Sequence, residues 1–141
     1  MSVIVETKMA QKNTLWVNIC AQSQLVENSG VCALLPPLET SGENETDTTQ
    51  YTQIALFYMP STHSLFVVSN WDPIGKANVI YRGIIGSIKD EPMVTSPLYK
   101  QHFSLVTGKC FEQADTSLLV YLSRIHDGKV QVSPMITVNV E

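Results

Sequence analysis

Thiols and imidazoles are the side chains best suited to bind zinc, to ligate iron–sulfur clusters, or to act as a nucleophile and its base. The chain carries them at Cys20, Cys32 and Cys110 and at His63, His102 and His126. No cysteine lies within three residues of another cysteine or of a histidine, so the paired spacing of a zinc site is absent. Cys20 and Cys32 sit inside apolar runs, where cysteine behaves as a small hydrophobe. Buried free thiols are therefore expected, and the odd count argues against a disulfide framework. His63 and His126 fall at turns. A pairing of Cys110 with His102 stays open, because neighbours in space need not be neighbours in sequence. The acidic run from Glu39 to Asp47 lacks the ordered spacing of a calcium loop. Gly83-Ile84-Ile85-Gly86 lacks the lysine and the strand–helix setting of a phosphate loop, and no Gly-x-Ser-x-Gly elbow occurs.

The elements that would position these residues read as strands, which makes the fold class all-β. Apolar, β-prone runs occupy Leu15–Cys20, Val31–Leu35, Gln53–Met59 and Leu65–Ser69. Shorter ones follow at Ile84–Ile88, Met93–Ser96 and His102–Val106, then Leu118–Ile125 and Lys129–Val132. Asp127-Gly128 between the last two is a strong hairpin signal, because both residues tolerate positive φ. Pro60 to Ser64 is a second hairpin connection. Ala21 to Gly30 is polar enough for a loop or a helical turn, and the pattern becomes irregular from Asn70 to Lys76 and again from Ser96 to Lys100. Residues 39–52 form an acidic, polar loop that cannot offset its ordering entropy by burial. The strands on either side of it look like one interrupted hairpin. Val3–Val5 and Ile136–Val140 are β-branched ends outside the core, suited to an extra edge strand or to pairing with a partner.

Residues 1–141 are thus expected to form a single domain with its core at about 14–133, long enough to fold without a metal or a disulfide. Hydrophobic residues make up 44% and charged residues 16%, with a net charge of −4 and nine scattered Lys and Arg. No basic stripe suits a phosphate backbone, so nucleic acid is not an expected partner. Apolar runs fall far short of the ~20 residues that span a bilayer. The N-terminus also lacks a secretory pattern, so a cytoplasmic location is expected.

The stretch from Phe66 to Lys109 resembles the cluster-binding region of Rieske domains, which carry Cys-x-His in one loop and Cys-x-x-His in another. Ser69-Asn70-Trp71-Asp72-Pro73-Ile74 stands at the first loop. Ser96-Pro97-Leu98-Tyr99, followed by Phe103 to Gly108, stands at the second. The prolines and the Phe…Thr-Gly tail match; the ligands do not. Asp72 and Ile74 replace the first pair, and Ser96 and Tyr99 the second. A Rieske centre needs two thiolates on one iron and two imidazoles on the other. Ile74 has no donor atom, and neither a serine hydroxyl nor a phenol substitutes for the missing soft and imidazole ligands. No iron–sulfur cluster is therefore expected, and no cofactor in this chain.

The resemblance extends to the small-subunit family of the assimilatory NAD(P)H-dependent nitrite reductases. Trp16-Val17-Asn18-Ile19-Cys20, Gly30 to Leu35, Gln53 to Phe57 and Val68 to Pro73 carry it. Arg82 to Ile85, Ser96 to Phe103 and Asp127 to Val130 complete it. Loss of the cluster ligands is normal in that branch. The resemblance implies a Rieske-like fold of stacked antiparallel sheets and a non-catalytic role in nitrate assimilation. The partner is a large subunit that reduces nitrite to ammonium and carries FAD, sirohaem and a 4Fe-4S cluster. The vacated loops then offer Trp71, Asp72, Pro97, Tyr99 and Lys100 as a candidate partner interface, since aromatic residues dominate interface hot spots. Trp71 and Tyr99 could equally fill the space a cluster would occupy. A Rieske-type ferredoxin or oxygenase component is the alternative and needs ligands the chain lacks.

Overall fold

The computed structural model describes residues 14–37 and 50–137, which hold eleven β-strands and short 3-10 turns but no α-helix. Among them no helix is long and apolar enough to cross a membrane. The expectations for the acidic run from Glu39 to Asp47 and for Val3–Val5 lie outside the described residues.

The centre of the fold is a β-meander in which β3 and β4 are buried on both faces. Strand β3 (Thr52–Met59) pairs antiparallel with β4 (Ser64–Ser69) and with β2 (Gly30–Leu35). The pairing of Leu35 with Thr52 makes β2 and β3 the expected interrupted hairpin. Successive side chains of a strand point to opposite faces. Ile54 and Leu56 accordingly enter one apolar cluster, with Val67, Tyr121, Ile125, Val130 and Val132. Ala55 and Phe57 enter another, with Val68, Ile80, Val94, Phe103 and Leu105. This two-sided burial is the structural counterpart of the continuous apolar run in the sequence. Each fully buried aliphatic or aromatic side chain contributes about 1.5–3 kcal/mol relative to exposure.

The sheet continues from β4 through β10 (Val120–His126) and β11 (Lys129–Thr137) to β1 (Val17–Ala21), all antiparallel. Its edge strands β1 and β2 approach each other, so the six strands curl towards a barrel. A three-stranded antiparallel sheet stacks on the Phe57 side: β7 (Ile84–Ile88), β8 (Glu91–Thr95) and β9 (His102–Ser104). The stacked antiparallel sheets match the all-β, Rieske-like expectation.

Three details differ from the sequence reading. The irregular segment after Asn70 contains a two-residue ribbon, β5 (Trp71–Asp72) with β6 (Ala77–Asn78), too short to show a period. Ile136 is not a separate end: it continues β11 and pairs with Tyr121. A bulge hides that continuity, because the partner of Ser123 is Val132 whereas the partner of Tyr121 is Ile136. Pro134 occupies the bulge, where its missing N–H interrupts no ladder bond. Finally, the cysteines are free thiols but not uniformly buried: Cys110 is buried, Cys20 half-buried and Cys32 exposed. Cys32 faces outward because Val31 and Ala33, its neighbours on the strand, take the more buried face.

The two ends of the molecule differ. One is closed by tight turns that each carry a residue at positive φ: Asn28, His63, Lys89–Asp90 and Asp127–Gly128. The other carries the long connections after β2, β4 and β8, and the chain returns to it after β9, where the Phe111 amide meets the His102 carbonyl. β11 also ends there, Thr137 pairing with Val120, itself opposite Val68.

Gly108 and Gly128 test the backbone logic. Both have positive φ, 82° and 75°. A Cβ on Gly108 would stand 2.2 Å from the Leu118 carbonyl oxygen, whereas one on Gly128 would meet nothing within 4 Å. Gly128→Ala should cost only the left-handed penalty of about 1–2 kcal/mol. Gly108→Ala adds a backbone collision and should lower the melting temperature further; equal shifts in thermal unfolding would contradict the account.

Candidate functional site

Strand β4 delivers Ser69 and Asn70 to the loop end. The Ser69 hydroxyl accepts the Leu119 amide at 3.2 Å, and its own N–H donates to the Leu119 carbonyl at 2.9 Å. Asn70 is fully buried and saturated. Its Nδ2 donates to Gln53 Oε1 at 3.1 Å and to Cys32 Sγ at 3.6 Å, and its Oδ1 accepts the Tyr81 amide at 2.8 Å. Its backbone joins the Gln53 carbonyl and the Ile80 amide. Asn70 thus ties β2, β3 and the 3-10 turn Ile80–Arg82 together beneath the first ligand loop. In the sequence it is one polar residue at the end of an apolar run, which reads only as the start of a loop.

Asp72, fully buried, organises that loop. Its Oδ1 accepts the amides of Ile74 at 2.8 Å and Gly75 at 2.9 Å, and its carbonyl accepts the Lys76 amide at 2.7 Å. Aspartate favours such turns because its side chain can bond the backbone two residues on. Its Oδ2 accepts a short hydrogen bond from the hydroxyl of Ser96, which is buried at the end of β8. Ser96 Oγ in turn accepts the Leu98 amide at 3.3 Å, and its N–H donates to the Gln101 carbonyl at 2.9 Å. A Cβ on Gly75 would lie 2.4 Å from Leu98 Cδ1, so glycine is what lets the second loop rest on the first. The loops are therefore clasped to each other through Asp72, Ser96 and Leu98.

The structure joins Asp72, Ile74 and Ser96 as the sequence places them, with Tyr99 exposed on the second loop. Trp71 is 44% exposed and Tyr99 65%, so each presents apolar surface to solvent. Pro97 is half-buried and Lys100 exposed. Asp72, expected among the interface residues, is withdrawn from the surface and shapes it from beneath. These residues do not fit a [2Fe-2S] cluster. Both Asp72 oxygens are engaged with this chain's own donors, Ile74 offers no donor atom, and the only oxygens remaining are hard ligands. Among the described residues, no group of three or more His, Cys, Asp and Glu could hold a metal ion.

His102 and Cys110 do come close, but through Glu112 rather than as a nucleophile and its base. His102 Nδ1 lies 2.5 Å from Glu112 Oε2, the His102 amide donates to Oε1 at 2.9 Å, and Cys110 Sγ lies 3.5 Å from Oε1. Burial pushes the Cys110 thiol up, away from the reactive thiolate. Partial burial acts to raise the Glu112 carboxyl, but the bonds from the His102 amide and ring outweigh it and hold it below the usual range.

Two predictions follow from this geometry. Ser96→Ala removes a donor from a buried carboxylate and should destabilise the fold by about 2–3 kcal/mol. A double-mutant cycle with Asp72→Ala should give a coupling of roughly 1–3 kcal/mol in denaturant unfolding; additive effects would mean the clasp is not a unit. The depressed Glu112 pKa contributes stability above the ordinary glutamate pKa that is lost as pH falls through the folded value. Glu112→Gln should therefore flatten the acid limb of melting temperature against pH. The change should be small, because both partners are partly exposed.

Known proteins place this geometry. The Rieske-like [2Fe-2S] domain family matches residues 15–133. The NADH nitrite reductase small subunit of Salmonella typhimurium is 37% identical over 117 residues, 83% of this chain and 95% of that protein. The NAD(P)H nitrite reductase large subunit of Klebsiella oxytoca is 31% identical over 117 residues, which are only 11% of that protein. The solution structure of the NAD(P)H nitrite reductase small subunit from Erwinia carotovora has a TM-score of 0.63 at 31% identity, covering 89% of this chain and 88% of that one. The chain belongs to the Rieske-like domain family, in the branch formed by the small subunits of NADH nitrite reductases.

Proposed function

We propose that this chain is the non-catalytic small subunit of an NAD(P)H-dependent nitrite reductase of nitrate assimilation. It supports a large subunit that reduces nitrite to ammonium in the cytoplasm. The redox groups of that reaction, FAD, sirohaem and a 4Fe-4S cluster, belong to the large subunit, and this chain carries none. The observation that carries the accessory role is the clasp: Asp72 and Ser96 satisfy each other where a Rieske domain would bind iron. A domain that keeps the two loops yet spends their polar atoms on each other has a surface to offer rather than an electron carrier. The Klebsiella relative supports the choice of partner, since there a matching segment is part of the large-subunit polypeptide itself.

The reading is tested by co-expressing the chain with the large subunit. The two should copurify, and NAD(P)H-driven nitrite reduction should fall when the small chain is omitted and return when it is added back. The chain purified alone should show no stoichiometric iron and no reducible visible absorption. A reducible spectrum with bound iron would sink the cluster-free reading, and full activity without the chain would sink the accessory role.

A further inference from the structure

The exposed apolar side chains are not spread evenly. Trp71 and the pair Leu98 and Tyr99 stand on the clasped loops. Leu119 is tied to the same place by its amide bond to Ser69 Oγ, two residues before Trp71. Phe111 is tied there as well: its amide donates to the His102 carbonyl at 2.8 Å, next to Gln101, whose carbonyl holds Ser96. All five are exposed, and they make up half of the exposed large hydrophobics among the described residues, the others being Leu15, Val26, Leu34, Ile84 and Val106. The Thr137 end of β11 leaves at this end too, and β1, antiparallel to β11, enters from its direction. Phe111 and Leu119 lie far from the loop motifs in sequence, and only the tertiary fold ties them to the end that carries Trp71 and Tyr99.

We propose that the large subunit docks on this whole loop end, with Phe111 and Leu119 as anchors flanking Trp71, Leu98 and Tyr99. The inference rests on the subunit reading above and adds the face. Two observations select the occupant. The Klebsiella relative carries the matching segment within its large-subunit chain, and the outer ends of β1 and β11, through which this domain would be continuous with a longer chain, both lie towards one end of the sheet. That end is the loop end. The opposite end is closed by turns, and its apolar groove is lined by the half-buried Met59, Phe66, Ile85 and Pro92 rather than by exposed side chains. The clasp then acts as a brace: it holds the two loops in one conformation, so that little ordering entropy is lost on docking. The partner face is correspondingly apolar, with aromatic or aliphatic side chains to cover these anchors.

The test uses the full chain and the purified, cofactor-loaded large subunit. Phe111→Asp and Leu119→Asp should each weaken binding roughly tenfold or more, as loss of an interface anchor does. Val26→Asp, an equally exposed apolar position in the turn before β2 at the opposite end, should bind like the natural chain. Hydrogen exchange on the unaltered chain provides a readout free of folding effects. Amides at 96–101 and 111–119 should gain protection in the complex, and those at 24–29 and 60–63 should not. Unchanged affinity for both loop-end variants, or protection at the turn end instead, overturns the proposed face while leaving the subunit reading intact. A natural chain that fails to bind the large subunit at all overturns both. If the two variants abolish a dimer of this chain without altering its affinity for the large subunit, the face belongs to a second copy and the proposal fails.

Discussion

A carboxylate removed from water must have its oxygens occupied, and Asp72 meets that requirement within this chain. Two loop amides saturate Oδ1 and the Ser96 hydroxyl takes Oδ2. An unpaired charge in that position would cost several kcal/mol. The consequence is geometric, because one side chain fixes the turn of its own loop and ties it to another loop 24 residues away. Where a Rieske domain uses metal–ligand bonds to join two loops, this chain uses one buried carboxylate and one hydroxyl.

The clasp works only because the core beneath it is rigid. Strands β3 and β4 are packed on both faces, and β4 leads directly into Asn70, whose every polar group is engaged by β2, β3 and the Ile80–Arg82 turn. Interiors packed to crystal-like density transmit position with little slack. Asp72 therefore starts from a fixed point, and Ser96 starts from the end of a strand that is itself stacked on that core through Val94 and Phe103. Apolar burial thus sets where the two polar residues stand, and their hydrogen bond sets what the surface above them looks like.

That surface is asymmetric for a simple reason. Short hairpin turns close one end of the antiparallel fold with residues at positive φ at His63, Lys89–Asp90 and Asp127–Gly128. The long connections accumulate at the other end, and they carry Trp71, Leu98, Tyr99, Phe111 and Leu119. Exposed apolar groups gathered at one place mark interaction sites more often than scattered ones do.

Much of this was legible in the residues. Alternation and turn chemistry reveal the strands and the Asp127-Gly128 hairpin, because a two-residue period and a demand for positive φ are local properties. The absence of cluster ligands is legible too, since donor atoms belong to residue types. The period fails for β5 and β6, which are too short to show one, and for the continuation of β11, where Pro134 and the bulge break the alternation. The partner of Asp72 was not legible either, nor the pairing of His102 with Glu112 or the place of Phe111 and Leu119 at the end that carries Trp71. Each depends on which strands lie side by side, and that is decided by burying two apolar clusters at once rather than by any local signal. The sequence by itself determined that the two loops lack the cysteine and histidine ligands of a Rieske centre; only the tertiary structure decided that these loops are joined by a hydrogen bond, because that bond links residues brought together by packing alone.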